Sequence, residues 1–131
     1  MIGSDDRLML PRGAFIAMRQ SGGLRFSTRE VTVYNDGRVT WQRQGKLDAE
    51  EGSRRITPGE VVELKDLIEH SGLWELSNPI GQPNPDSYAY ELVVRFERKS
   101  KLIEFYDGSI PAETRPLLAQ LTALIVDNTQ E

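Results

Sequence analysis

The sequence contains no cysteine and only one histidine, which excludes several classes of chemistry. Without cysteine, the chain can form no disulfide, no thiolate nucleophile and no cysteine-ligated metal or iron–sulfur site. The single histidine, His70, lies near the end of a predicted helix, where a cation favoured by the helix dipole or a solvated side chain is the expected role. No second titratable residue is spaced to form a catalytic pair with it. We therefore expect neither enzymatic activity nor a cofactor.

Long apolar runs and nucleotide-binding signatures are also missing. No run approaches the ~18 apolar residues of a membrane span, and the N-terminus carries Asp5 and Asp6 where a signal peptide has basic residues. Neither a phosphate loop nor a dinucleotide fingerprint is present. We expect a soluble chain without a membrane span. Its composition is compatible with the cytoplasm and with export after removal of a leader.

Charge is unevenly distributed, although the net charge is only −4. Residues 12–46 contain seven Arg or Lys and two acidic residues, whereas residues 47–131 contain eight Arg or Lys and sixteen acidic residues. The basic region is either a set of solvated side chains protecting sheet edges or a face for nucleic acid or an acidic partner. Strand alternation places Trp41 on the core side and leaves only Tyr34 as an outward aromatic. We therefore do not expect nucleic acid as a partner.

The length of 131 residues is that of one domain with its own core. Residues 1–12 are polar and lack periodicity, which predicts a flexible N-terminal arm, with residues 13–131 forming the domain. Residues 14–20 have the composition of a first strand, and a permissive Ser-Gly-Gly turn follows from Ser21.

A second hairpin is predicted from residues 26–34 and 38–44 around an Asn-Asp-Gly turn. A two-residue loop would place the valines of the two strands on different faces. A three-residue loop, with Gly37 in the left-handed conformation, sets Val33 opposite Val39 and keeps both on one face. The pattern therefore favours the three-residue turn.

The first helix follows a charged segment, residues 45–55, which has no periodic apolar face and is predicted to be a loop. Thr57, proline at the next position and Glu60 form a capping-box pattern, so the helix should start there. Gly72 is the expected end of the helix. The buried stripe of this helix should consist of Val61, Leu64, Leu67 and Ile68.

The second half of the chain predicts another hairpin followed by a helix. A four-residue loop at residues 97–100 would set Val94 opposite Ile103 and Leu92 opposite Phe105. Leucines at helical spacing then follow from residue 117. The predicted fold is α+β, with a four- to five-stranded antiparallel sheet packed against two helices in the order β-β-β-α-β-β-α.

Two segments rich in proline or glycine are candidate recognition loops. Residues 21–24 contain two glycines, and residues 78–87 contain three prolines and one glycine. Stiff loops of this kind lose less entropy on docking to a partner. They are equally compatible with ordinary connections between strands and helices.

In addition, the chain resembles the emfourin family, small bacterial protein inhibitors of thermolysin-like zinc metalloproteases. The similar features are Arg-Gln-Ser-Gly-Gly at residues 19–23, the helix of residues 64–74 with its glycine, apolar, aromatic, x, leucine exit, the D-x-Y-x-Y-x-L-x-V strand at residues 86–94, and the closing helix within residues 110–121. In that order, they span most of residues 15–124. The leading arm and an enlarged region at residues 31–55 depart from the compact family pattern.

The resemblance implies a cofactor-free protein that blocks the active-site cleft of a metalloprotease through its loops. The alternative is a non-catalytic protein-interaction or envelope-associated domain with another partner. The sequence specifies neither the target protease nor the oligomeric state. On loop geometry, the candidate partner-binding residues are Ser21, Gly22, Gly23, Leu24, Asn78, Pro79 and Gly81.

Overall fold

The computed structural model describes residues 8–22, 27–45, 49–76, 88–106 and 108–127. The strands are β1 (Ala14–Gly22), β2 (Ser27–Tyr34), β3 (Arg38–Gln44), β4 (Ala49–Arg55), β5 (Tyr88–Phe96) and β6 (Lys99–Tyr106), and the helices are α1 (Pro58–Glu69) and α2 (Arg115–Asp127), with a 3₁₀ turn at Leu73–Glu75. The strands form one antiparallel sheet in the order β4-β3-β2-β1-β5-β6. The α+β class is confirmed, but the sheet has six strands, and a fourth strand precedes the first helix.

The additional strand is β4, in the segment predicted to be a loop. Its residues pair with β3 along their whole length, from Ala49 opposite Gln44 to Arg55 opposite Arg38. The side chains of β4 are exposed or half-buried, because it is an edge strand. A charged edge discourages pairing with other molecules, and it leaves no apolar alternation in the sequence.

The β2–β3 turn has the predicted form. Val33 lies opposite Val39 and Val31 opposite Trp41, while Gly37 has φ 93° and donates its backbone N–H to the Tyr34 carbonyl at 3.0 Å. Val31, Val33 and Val39 are buried together in the core. The three-residue turn is therefore confirmed.

The β5–β6 turn differs from the predicted four-residue loop. Only Glu97 and Arg98 separate the strands, with φ values of 52° and 72°, so Leu92 lies opposite Ile103 and Val94 opposite Lys101. The predicted register was wrong by two residues. Because side chains alternate with period two, this shift keeps the apolar residues on the predicted face.

The positive φ values at this turn suit Asn-Gly better than Glu-Arg. We expect the double variant Glu97→Asn/Arg98→Gly to raise the free energy of unfolding by about 1 kcal/mol, because it removes left-handed strain at two residues. Urea titration measures the change. The control, Glu97→Ala/Arg98→Ala, removes the same charges but retains the strain, and it should give no stabilisation. Equal stability of the two double variants would contradict the two-residue turn.

Helix α1 begins at the predicted capping box. The Thr57 hydroxyl accepts a hydrogen bond from the Glu60 backbone N–H at 3.1 Å, and the Glu60 carboxylate accepts one from the Thr57 N–H at 2.8 Å. Val61, Leu64 and Ile68 are buried as predicted, whereas Leu67 is only partly buried against the core.

Both helices pack on one face of the sheet. A register shift between Ala14 and Ile16 inserts Phe15 as an extra residue in β1, so Phe15 and Ile16 are both buried in the core. The Nζ atom of Lys65, on α1, lies 5.0 Å from the Phe15 ring centroid. Helix α2 contributes five fully or almost fully buried residues to the same core, Leu117, Leu118, Leu121, Leu124 and Ile125.

The N-terminal segment contributes to the fold within its described part. Leu8, in the segment predicted to be a flexible arm, is buried. The Gly13 carbonyl accepts hydrogen bonds from the backbone N–H and side-chain amide of Asn35, at 2.9 and 3.0 Å. Neither described α-helix is long and apolar enough to cross a membrane.

Candidate functional site

Ser21 and Gly22, the first two predicted recognition residues, lie at the end of central strand β1. Ser21 is paired with Thr28 on one side and Ala89 on the other, and Gly22 lies opposite Tyr88. Both residues belong to strand β1, whereas the sequence predicted that they form a turn after it. Gly22 has φ 108°, in the region that favours glycine.

The remaining predicted recognition residues lie outside the described residues: Gly23, Leu24, Asn78, Pro79 and Gly81. Their positions in the chain are nevertheless informative. Residue 22 precedes the first of these segments, residue 88 follows the second, and these two residues are paired partners. The chain therefore leaves the sheet for the first segment, and returns to it from the second, at the same end of the sheet.

Tyrosines are concentrated at this end. Tyr88 and Tyr90 begin β5, and Tyr106 ends β6 opposite Ala89. All three are half-buried, and they are three of only four tyrosines in the sequence. We call this region, defined by Ser21, Gly22, Tyr88, Ala89, Tyr90 and Tyr106, the tyrosine end.

Sequence analysis did not identify this group of tyrosines, of which Tyr90 also packs against the core. The signal was the period-two repeat of Tyr88 and Tyr90, together with Tyr106 at the end of the following strand. Tyrosine combines a rigid apolar ring with a hydroxyl, and it is enriched where proteins bind one another. The tyrosine end therefore has the composition of a recognition surface.

A buried amide connects this end to the core. Gln20 is buried, and its side-chain Nε2 donates to the Tyr90 hydroxyl at 3.3 Å. Its Oε1 atom has no hydrogen-bond partner among the described residues. The hydrogen bond fixes Tyr90 to the central strand, which limits the positions available to its ring.

Electrostatics at the tyrosine end depend on an ion network on the neighbouring row of the sheet. Arg19 lies between Glu30 and Glu91, with a nitrogen 2.8 Å from a carboxylate oxygen of each. Burial lowers the pKa of Arg19, but hydrogen bonds and charge attraction from the two glutamates outweigh it and raise the pKa overall. The pKa of Tyr106 is raised by burial and by the nearby carboxylates of Glu104 and Glu91. Tyr106 therefore remains a neutral hydrogen-bond donor at physiological pH, and it donates to Glu104 at 3.4 Å.

Three arginines of the basic region have partners within the protein. Besides Arg19, the guanidinium of Arg43 forms an ion pair with Glu50, and that of Arg38 lies 4.1 Å from the centroid of the Tyr34 ring. This stacking covers the one aromatic that sequence analysis left facing outward. Trp41 is partly buried against the core, as predicted.

The single histidine of the sequence is His70. His70 is exposed at the end of α1, where its Nδ1–H donates to the Asp66 carbonyl at 2.9 Å. In the part of the chain that the structure describes, no group of three or more histidine, aspartate or glutamate residues could hold a metal ion.

Comparisons with known proteins find no family model and no curated protein that matches this sequence. The likeness to emfourins therefore rests on the ordered set of residues quoted above. The inhibitory function that this likeness implies is accordingly a proposal.

Proposed function

We propose that this protein is a non-catalytic binding domain that inhibits a thermolysin-like zinc metalloprotease through its tyrosine end. The observation that supports this most directly is the pairing of Gly22 with Tyr88. Residue 22, which precedes the first predicted recognition loop, therefore lies beside residue 88, which follows the second. We infer that both loops contact one cleft of the protease.

The position of β1 favours such a role. Ser21 and Gly22 are paired on both sides, with β2 and with β5, so their backbone is held before any partner arrives. A preformed surface loses little conformational entropy on association. Tyr88 and Tyr106, which lie on opposite faces at this end of the sheet, add rigid side chains of the type that supplies much of the binding free energy at interfaces.

The enlarged region at residues 31–55 is compatible with this proposal. Its strands β3 and β4 extend the sheet sideways from β2, whereas the tyrosine end is formed by β1, β5 and β6. The additional strands therefore do not separate Ser21 from Tyr88. The alternative function is that of an interaction or envelope-associated domain whose partner is another protein, and the same concentration of tyrosines supports it.

We expect Ser21→Trp to weaken inhibition of the target protease at least about tenfold, or ~1.4 kcal/mol. The bulky ring would separate the tyrosine end from the protease surface. Gly22 is not a suitable site, because a side chain at φ 108° would strain the fold as well. The measurement is peptide hydrolysis by purified thermolysin-like enzymes titrated with each variant, with thermal unfolding recorded in parallel.

Ser100→Trp is the matched control, because Ser100 lies on β6 near the opposite end of the sheet and is exposed. It should inhibit as wild-type protein does. Equal weakening by the two substitutions would contradict the assignment of the tyrosine end. Failure of wild-type protein at about micromolar concentration to slow any thermolysin-like enzyme would reject inhibition and leave the interaction domain in its place.

A further inference from the structure

The sheet face opposite the helices carries one continuous row of polar side chains. Each strand contributes one residue, and each is the direct cross-strand partner of the next. In sheet order, this row, which we call the glutamate row, is Glu51, Gln42, Glu30, Arg19, Glu91 and Glu104. Strands are spaced about 4.8 Å apart, so the row is about 24 Å long.

The glutamate row has a large excess of negative charge. It holds four glutamates and one arginine, which gives a formal charge of −3. Arg19 interacts with both Glu30 and Glu91, yet Glu91 also lies directly opposite Glu104, and like charges in that position repel. The side chains of Arg19, Glu30 and Glu91 are only 23%, 24% and 21% exposed, so water screens this charge less than on an open surface.

The surroundings of the row make the face accessible. On one side the next row contains only small or uncharged residues, Ser53, Thr40, Thr32, Ala17, Val93 and Leu102. A concave region of about 530 Å³ lies over the β2–β3–β4 part of the face, and its lining includes Glu30, Gln42, Glu51, Thr32, Thr40 and Ser53. Both described helices pack on the other face of the sheet, so neither covers this region.

From this charge, shape and accessibility we infer that the face docks an extended basic segment of a partner protein, with its Lys or Arg side chains directed at the glutamate row. Cationic side chains would compensate the surplus charge and relieve the repulsion between Glu91 and Glu104. An extended segment of about seven residues matches the length of the row. Hydroxyls of Thr32, Thr40 and Ser53 can hydrogen-bond to such a segment. This inference does not depend on inhibition through the tyrosine end.

The test is fluorescence anisotropy with a labelled nine-residue peptide of alternating Lys and Thr, at low ionic strength. We expect this peptide to bind, and a Glu/Thr peptide of the same length not to bind. For the variant Glu51→Gln/Glu104→Gln, Kd should rise at least about fivefold. Glutamine keeps the size of each side chain and can still accept the hydrogen bond from Tyr106, so the fold should be retained, which circular dichroism checks.

The matched control is Glu63→Gln/Glu69→Gln, which removes the same charge from the exposed side of α1. Both double variants change the net charge by the same amount, so the general effect of net charge is the same in each. Beyond that effect, the control should leave Kd within about twofold of wild type. Equal weakening by both double variants, or no binding of the Lys/Thr peptide, would overturn the inference. Sedimentation of the protein alone gives a further check: a dimer that dissociates on Glu51→Gln/Glu104→Gln would show that a second copy occupies the face, and would also overturn it.

Discussion

The substitution Leu92→Asp is expected to lower the free energy of unfolding by at least about 5 kcal/mol, which is enough to unfold many domains of this size. Leu92 is completely buried, and its cross-strand partners Met18 and Ile103 are completely buried as well. An aspartate there would lose its hydration without gaining a cation. It would also leave part of the leucine volume unfilled. Urea unfolding followed by far-UV circular dichroism measures the effect.

Two further variants separate the cost of the cavity from the cost of the buried charge. Leu92→Ala creates the cavity without the charge, and it should cost about 2–5 kcal/mol, less than aspartate at the same position. Val62→Asp introduces the charge at a side chain that is 59% exposed on α1, and it should change stability by no more than about 0.5 kcal/mol. A near-wild-type midpoint for Leu92→Asp would show that β5 does not occupy the centre of the core.

Gly37→Ala is expected to cost about 2–4 kcal/mol, from two separate causes. The residue has φ 93°, and a Cβ atom there would lie 2.7 Å from the backbone oxygen of Ile56. That carbonyl cannot move independently, because the neighbouring N–H of Ile56 donates to the Gly37 carbonyl at 2.8 Å. The change would therefore disturb both the β2–β3 turn and the entry to α1. The measurement is again the midpoint of urea unfolding.

Gly108→Ala separates the two causes. Gly108 has φ 89°, but an added Cβ would meet no atom within 4 Å. This variant should therefore show the backbone strain alone, about 1–2 kcal/mol. If both alanine variants lost the same stability, close packing against Ile56 would have no part in the requirement for glycine at position 37.

Features encoded by a few adjacent residues could be predicted from the sequence. The capping box needs only Thr57 and Glu60, and the β2–β3 turn needs only Gly37 and the alternating valines beside it. Each depends on local hydrogen bonds or on a local backbone conformation. Such signals do not depend on how the rest of the chain folds.

The two errors in the sheet come from residues that violate local preferences. Strand β4 has no buried alternating face, because an edge strand is specified by its pairing with β3 and not by its own side chains. The β5–β6 turn places Glu97 and Arg98 at positive φ, where asparagine and glycine are usual. The prediction assumed favourable residues at each turn position, so it gave the β5–β6 loop four residues instead of two.

The candidate surfaces depend on the order of strands in space, which local patterns do not specify. Ser21 and Gly22 were identified from their composition, but their pairing with Ala89 and Tyr88 requires β1 to lie beside β5. The glutamate row likewise exists only because six separated residues meet across the sheet. Arg19 and Glu91, which form an ion pair, are 72 positions apart.

The central position of β1 also governs how the chain must fold. Strands β1 to β4 are consecutive neighbours, and β5 and β6 form a second local unit, but these units join within the sheet only through β1 and β5. Pairing β1 with β5 closes a loop of about seventy residues. The entropic cost of closing this loop must be met before the contacts between β1 and β5 stabilise the chain. Since local contacts form faster than distant ones, we expect the union of the N-terminal meander with the C-terminal hairpin to be the slow step of folding. The tyrosine end and the complete glutamate row are formed only at that step, so neither of the two proposed binding surfaces would be present in a chain that has not reached it.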